Sequence, residues 1–134
     1  MRIEVEVSKG TVLLVEDDPR LRFIIHAQLK SAGFDVVPLE DGNAALTTLE
    51  TLTPDLVLLN ILLPRVDGVE VCERIRSQRR LAHVPVIFLT ARTDPESRAR
   101  CLGVGANDYV TKPWDSTDLV LRISNSIALA RSQR

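Results

Sequence analysis

Residues 56–59, Leu-Val-Leu-Leu, form a short apolar run that ends at a polar residue, Asn60. Pro54 precedes this run, and Pro64 and Gly68 follow it. Four apolar residues between turn formers predict a strand that is buried on both faces, as in the centre of a parallel sheet. Asn60 is then expected at the carboxyl end of a central strand, where ligands bind in open α/β sheets.

Predicted strands and helices alternate along the rest of the chain. The five apolar runs that indicate strands span residues 11–15, 34–39, 56–59, 84–89 and 109–111. Each is followed by a helical pattern, and several helices begin at an aspartate that can cap them, such as Asp18, Asp94 and Asp115. Five strand–helix units predict an α/β fold, with a doubly wound parallel sheet and five helices.

The composition of the strands predicts their order. Pro38 lacks an N–H for a ladder, which favours an edge position for the second strand. The fifth strand is short and partly polar, which is typical of the other edge. Apolar strands one, three and four are expected inside. These features predict the flavodoxin-like order 2-1-3-4-5.

The chain of 134 residues is expected to form one domain, at residues 11–131, with an amino-terminal extension at 1–10 and a tail or the start of a linker at 132–134. Ile3, Val5 and Val7 alternate with polar residues, so the extension is either an extra strand or a frayed terminus. The domain is either free-standing or the amino-terminal piece of a longer regulator.

The bulk composition argues against several classes of function. The net charge is −1, which offers no basic field for direct binding to nucleic acid or to a membrane surface. No apolar run is long enough to span a bilayer. Cys72 and Cys101 lie far apart in predicted helices, which indicates reduced core thiols in a cytoplasmic protein.

Polar residues follow the central and fifth strands at their carboxyl ends. Glu16 and Asp17 follow strand one, Asn60 strand three and Lys112 strand five, while Thr90 ends strand four. In a parallel sheet these residues meet at one edge. A pair of carboxylates favours Mg²⁺, and Thr and Lys can bind phosphoryl oxygens. A carboxylate at position 60 could accept a phosphoryl group, whereas an amide cannot form a comparable acyl phosphate.

Four segments carry a resemblance to a known family. These are residues 12–19 (VLLVEDDP), 54–68 (PDLVLLNILLPRVDG), 89–91 (LTA) and 105–113 (GANDYVTKP). Their order and spacing are similar to the receiver domain of two-component response regulators, the CheY-like family, over residues 11 to about 130. The resemblance implies that the residue at the end of strand three accepts a phosphoryl group. A sensor histidine kinase or a phosphotransfer protein would donate that group.

The resemblance also implies roles for single residues. Glu16 and Asp17 would be the acidic Mg²⁺ ligands, joined by the side chain of residue 60 and the backbone carbonyl of Leu62. Lys112 would bind the phosphoryl group, with a cis peptide to Pro113.

Two further roles concern signalling out of the site. Thr90 and Tyr109 would form the switch, the first as a hydroxyl and the second as an aromatic rotamer. Four charged residues of helix four, strand five and helix five are similar in placement to those of salt-bridged dimers in the winged-helix transcription-factor subclass. They are Arg98, Asp108, Asp118 and Arg122.

Asn60 departs from the family pattern at the acceptor position itself. Either the native residue is Asp and Asn60 is a blocking substitution, or the domain is a natural pseudo-receiver that acts as a phosphorylation-independent interaction module. In both accounts Mg²⁺ binding is expected to be weakened, and the domain is expected to be a signalling module and not an enzyme.

Two proteins of similar topology provide alternatives from another class. An aspartyl-phosphate phosphatase needs an Asp-x-Asp arrangement after strand one, which Glu16-Asp17-Asp18 does not supply. A flavodoxin needs a phosphate loop rich in Ser, Thr and Gly there, whereas residues 16–20 would repel phosphate. Both alternatives are disfavoured.

Overall fold

The computed structural model describes residues 7–133. The extra strand predicted around Ile3 and Val5 lies outside the described residues. The elements are β1 (Thr11–Val15), α1 (Pro19–Ser31), β2 (Asp35–Leu39), α2 (Gly42–Leu49), β3 (Leu56–Leu59), α3 (Gly68–Ser77), β4 (Val86–Thr90), α4 (Pro95–Gly103), β5 (Asp108–Thr111) and α5 (Ser116–Ser132). The five strands are parallel, in the order β2-β1-β3-β4-β5. The predicted fold class, strand order and number of helices are therefore confirmed for the described chain.

Burial follows the predicted division between central and edge strands. Every residue of β3 and β4 is buried, whereas β2 has no fully buried residue. Successive residues of a strand point to opposite faces, so the core has two halves. Leu13, Val57 and Phe88 pack with α2, α3 and α4 on one face, and Leu14 and Leu58 pack with α1 and α5 on the other.

Strand β4 begins two residues later than predicted. Val84 donates its N–H to the carbonyl of Leu81 in a turn. Pro85 has no N–H to donate, and only its carbonyl pairs with β3, by accepting the N–H of Val57 at 2.9 Å. Strand β2 begins at Asp35 instead of Phe34, because Phe34 donates its N–H to Leu29 at the end of α1. Gly33, at φ +102°, makes that reversal possible.

The arginines at the end of α3 are not simply the solvated surface that their charge indicates. Arg76 donates to the carbonyls of Val84 at 2.6 Å and Gly105 at 3.0 Å, and to Asn107 Oδ1 at 2.8 Å. Arg80 donates to the carbonyl of Leu49 and so satisfies the carboxyl end of α2. Sequence pattern alone does not predict these contacts, most of which join residues about thirty positions apart.

In the described part of the chain, no helix is both long and apolar enough to cross a membrane.

Candidate functional site

The polar residues expected at one rim continue the hydrogen-bond ladders of the sheet. Asn60 donates its N–H to the carbonyl of Val15 at 3.2 Å, and Lys112 donates its N–H to the carbonyl of Thr90 at 2.8 Å. The backbones of these residues are therefore fixed by the same parallel pairing that orders the strands. This places Asn60, Thr90 and Lys112 at the carboxyl ends of adjacent strands.

Lys112 and Glu16 form an ion pair across the site. Lys112 Nζ lies 2.5 Å from Glu16 Oε1, and the two side chains are only 13% and 3% exposed. Glu16 Oε2 accepts the N–H of Asp18 at 3.1 Å. Arg22 holds the backbone of this turn by donating to the carbonyl of Glu16 at 2.8 Å. Both oxygens of the Glu16 carboxylate therefore have a partner, while Asp17 is exposed at the same rim.

Asn60 carries a buried oxygen without a partner. Its Oδ1 atom is shielded from solvent and accepts no hydrogen bond, alone among the buried side-chain polar atoms of the described residues. Leaving such an acceptor unpaired costs about 1–3 kcal/mol, so a hydrogen-bond donor or a cation that bound this oxygen would stabilise the site.

A divalent cation could bind the Asn60 oxygen. Two carboxylates and a free amide oxygen are the oxygen ligands that Mg²⁺ prefers, so the residues present fit this ion. No group of three His, Cys, Asp or Glu side chains that could hold a metal occurs in residues 7–133. Because residue 60 is an amide, the candidate metal site has two carboxylates, those of Glu16 and Asp17, and not three.

The loop after β3 is fixed tightly against the site. A Cβ atom on Gly68 would lie 2.0 Å from the carbonyl oxygen of Asn60, so only glycine fits there. Gly68 also donates its N–H to the carbonyl of Ile61 at 2.8 Å. The first turn of α3 is thereby docked on residue 60. Leu62, whose carbonyl is expected to bind the metal, lies in this loop with its side chain 57% exposed.

The two residues predicted to form the switch, Thr90 and Tyr109, both bond to the backbone of Arg92. Thr90 is 1% exposed, and its Oγ1 accepts the N–H of Arg92 at 3.2 Å. Tyr109 is 5% exposed, and its hydroxyl donates to the carbonyl of Arg92 at 2.6 Å. The side chains of Thr90 on β4 and Tyr109 on β5 are therefore connected through the backbone N–H and the backbone carbonyl of Arg92. The sequence places Arg92 among the charged residues near α4, but it does not predict these two backbone contacts.

The side chain of Arg92 extends this connection to α4. Its Nε lies 2.9 Å from Asp94 Oδ1, while Asp94 Oδ2 accepts the N–H of Ser97 as the cap of α4. The hydrogen bond from Arg92 holds the pKa of the Asp94 carboxyl well below its ordinary value. Burial raises the pKa of Tyr109. The start of α4 is thus bonded to the same residue that the side chains of Thr90 and Tyr109 contact.

The four predicted interface residues are engaged within the chain. Arg122 Nη1 lies 2.9 Å from both oxygens of Asp108, and Arg122 Nε lies 2.9 Å from Asp118 Oδ2. These hydrogen bonds raise the pKa of Arg122. The guanidinium of Arg98 lies 5.7 Å from the centre of the Tyr109 ring, a cation–π distance. All four groups therefore lie on one face, near Tyr109.

Comparison with known proteins agrees with this geometry. Residues 12–124 match the family model of the response regulator receiver domain. The chain is 39% identical over 118 residues to the DNA-binding response regulator MtrA of Mycolicibacterium smegmatis, covering 88% of this chain and 50% of the relative. It thus spans about half the length of such a curated relative.

Solved structures are similar over most of their length. A putative response regulator from Chloroflexus aurantiacus is 33% identical, with a TM-score of 0.85 over 89% of this chain and 98% of that one. The receiver domain of the Pseudomonas aeruginosa sensor histidine kinase PA1611 is 35% identical, with a TM-score of 0.83 over 89% and 98%, and it has a magnesium ion coordinated in the active-site cleft. The chain belongs to the response regulator receiver domain family of two-component signalling.

Proposed function

We propose that this domain is a phosphorelay receiver whose phosphoryl-binding pocket is complete except for the acceptor carboxylate. The observation that carries the proposal is the ion pair of a largely shielded Lys112 with the buried Glu16, at the same rim as an Asn60 oxygen that has no partner. An ammonium and a hydroxyl can bind phosphoryl oxygens, and carboxylate and amide oxygens can bind Mg²⁺, so the groups at this rim are those that phosphoryl transfer requires.

Each residue has a role in this proposal. Glu16, Asp17, the Asn60 oxygen and the Leu62 carbonyl would hold Mg²⁺, which would neutralise the charge of a phosphoryl group. Thr90 and Lys112 would bind the remaining phosphoryl oxygens. Because an amide cannot become an acyl phosphate, the chain as written would not be phosphorylated at Asn60.

Restoring the carboxylate tests this proposal directly. Asn60→Asp should become labelled by acetyl phosphate in the presence of Mg²⁺, whereas the unaltered chain should not. Asn125→Asp, which adds the same charge at an exposed position of α5, is the matched control and should remain unlabelled. Labelling of the unaltered chain at position 60, or none in Asn60→Asp, would contradict the proposal.

The second candidate is an interaction module that works without phosphorylation. The observation that favours it is the buried Tyr109, whose hydroxyl already bonds the loop before α4 in a chain that carries Asn60. Amide resonances of α4 and β5 would separate the two candidates. Under this second candidate, the unaltered chain should resemble phosphorylated Asn60→Asp; under the first, it should resemble the unphosphorylated variant.

A sensor histidine kinase or phosphotransfer protein is the proposed partner. Phe23, Ile24 and Leu62 are 75%, 44% and 57% exposed, on α1 and on the loop after β3. Large exposed apolar side chains favour a protein contact. In an Asn60→Asp background, Phe23→Ser should slow transfer from a phosphorylated histidine domain but not from acetyl phosphate. Leu129→Ser, equally apolar and 59% exposed on the last turns of α5, should change neither rate.

A homodimer through α4, β5 and α5 is a separate proposal. It rests on the charged face formed by Arg98, Asp108, Asp118 and Arg122, whose internal pairs would have to exchange for pairs between copies. Exposed ion pairs are weak and screened by salt, so the dimer should be weak and should dissociate as salt increases. We propose no direct contact with nucleic acid, no enzyme activity and a cytoplasmic location.

A further inference from the structure

A shallow groove runs between the second half of α1 and the first turns of α5. Its volume is about 560 Å³, and its walls include Ala27, Gln28, Val120 and Leu121. None of the eight residues that line it is charged, although 26% of the chain is Asp, Glu, Lys or Arg. Leu121 remains 54% exposed at its edge. The groove is therefore an uncharged, largely apolar surface on the described part of the chain.

An exposed aromatic side chain lies beside this groove. Phe23 is 75% exposed, so it does not fill the groove of its own chain. It lies four residues before Ala27 in α1, and residues at this spacing share one face of a helix. Ile24, which is 44% exposed, is its neighbour. A projecting apolar side chain and a recess of matching polarity thus lie next to each other on one face.

We propose that this face binds a second copy of the chain, with Phe23 of each copy seated in the groove of the other, against Leu121. In a twofold dimer the same patch serves both partners, so a recess and a projecting side chain that are neighbours on one copy meet their counterparts in one docking event. Aromatic side chains that enter a pocket are typical anchors of protein interfaces. Self-complementary shape is therefore the reason to assign a second copy as the occupant.

The distribution of charge also favours a second copy. In a twofold contact, a charged residue at the centre of the patch would approach its own counterpart, and like charges repel. The groove has no charged residue at that position. The exposed Arg20 and Lys30 lie towards the two ends of α1, at the border of the patch, where protein interfaces are usually polar and hydrated.

The size of the face predicts a weak dimer. Helix α1 has 13 residues, which is a length of ~20 Å, and two neighbouring helices are ~20 Å wide. The resulting footprint of ~400 Å² is about half of the ~800 Å² per partner found in stable interfaces. The dimer should therefore be transient and should appear only at high protein concentration.

The response to salt separates this dimer from one through the charged face of α4, β5 and α5. Salt screens exposed ion pairs but not apolar contacts. The dissociation constant of the dimer through α1 and α5 should therefore change less than about twofold between roughly 0.05 and 0.5 M NaCl. The inference also does not depend on the proposed phosphoryl chemistry, since it requires neither Mg²⁺ nor a carboxylate at position 60.

Sedimentation equilibrium of variants tests the predicted contact. Phe23→Glu and Leu121→Lys should each weaken the dimer at least tenfold, because each places two charges in an apolar contact. An equimolar mixture of the two variants should dimerise again. In the mixed dimer, Glu at position 23 of one copy faces Lys at position 121 of the other, and the second contact keeps Phe23 and Leu121. Leu129→Lys changes an equally exposed leucine of α5 that does not line the groove, and it should have less than a twofold effect.

A measurement on the unaltered chain covers the case in which a variant does not fold. Raising its concentration to ~1 mM should shift the amide resonances of Ala27 and Leu121 but not that of Leu129. A chain that stays monomeric at this concentration would overturn the inference. So would a dimer that tolerates both Phe23→Glu and Leu121→Lys, or a mixture of these variants that remains monomeric. Failure of Asn60→Asp to accept a phosphoryl group would contradict the proposed function and would leave this dimer unaffected.

Discussion

Asn60→Asp should lower the stability of the metal-free domain and make stability depend on Mg²⁺. The site now holds two carboxylates, Glu16 and Asp17, and one ammonium, Lys112. A third carboxylate about 5 Å from each would gain ~3 kcal/mol from the ammonium and lose ~6 kcal/mol to the two carboxylates at an effective dielectric constant of ~20. After relaxation and screening, a net loss of ~1–2 kcal/mol remains.

Thermal unfolding in chelator and in Mg²⁺ is the assay for this substitution. A loss of ~1–2 kcal/mol should lower the midpoint by roughly 3–8 °C in a domain of this size. Mg²⁺ at about one hundred times its dissociation constant should restore ~2.7 kcal/mol to Asn60→Asp and much less to the unaltered chain. Equal stabilisation of both chains by Mg²⁺, or an unchanged midpoint of Asn60→Asp in chelator, would refute the electrostatic reasoning.

Four further predictions concern other parts of the fold. Arg76→Met should lower the free energy of unfolding by ~2–4 kcal/mol, because it leaves buried carbonyls unpaired; a loss under about 0.5 kcal/mol in urea would contradict this role. Burial raises the pKa of the Cys72 thiol, and it raises that of Cys101 to about 11. Both thiols should therefore react with a disulfide reagent only after unfolding. The free energy of unfolding should fall as the pH rises from 9 towards 11, because the thiols ionise more readily in the unfolded chain. Tyr109→Phe should lower the free energy of unfolding by ~1 kcal/mol and shift the amide resonances at the start of α4; unchanged resonances would argue against the connection. Arg98→Glu should abolish the salt-sensitive dimer seen by ultracentrifugation at low salt, whereas a salt-sensitive dimer that tolerates this reversal would rule out the charged interface.

Sequence pattern sufficed for the architecture because the fold is set by local signals. Short apolar runs, the proline in β2 and the capping aspartates Asp18, Asp94 and Asp115 predict the strands, their order and the start of three helices. The strand ends then predict which polar residues meet at the rim, because parallel strands share one edge. The cis peptide between Lys112 and Pro113, implied by the family resemblance, is also confirmed.

What sequence pattern could not supply is the pairing of side chains over long distances. The contact of Lys112 with Glu16 joins residues 96 positions apart. The hydrogen bonds from Arg76 to the carbonyls of Val84 and Gly105 also depend on the packed structure. The same is true of the contacts of Thr90 and Tyr109 with Arg92. Charge runs and single threonines have many possible partners, and only the folded chain selects one of them.

The central claim is that the pocket around residue 60 can bind a phosphoryl group and lacks only the carboxylate that would accept it. The most direct measurement is the intact mass of the unaltered chain and of Asn60→Asp after incubation with acetyl phosphate and Mg²⁺, followed by mapping of the modified residue. The account predicts one phosphoryl group on the new carboxylate at position 60 of the variant and none on the unaltered chain. A variant that stays unmodified, or a phosphoryl group mapped to another residue in both chains, would contradict it.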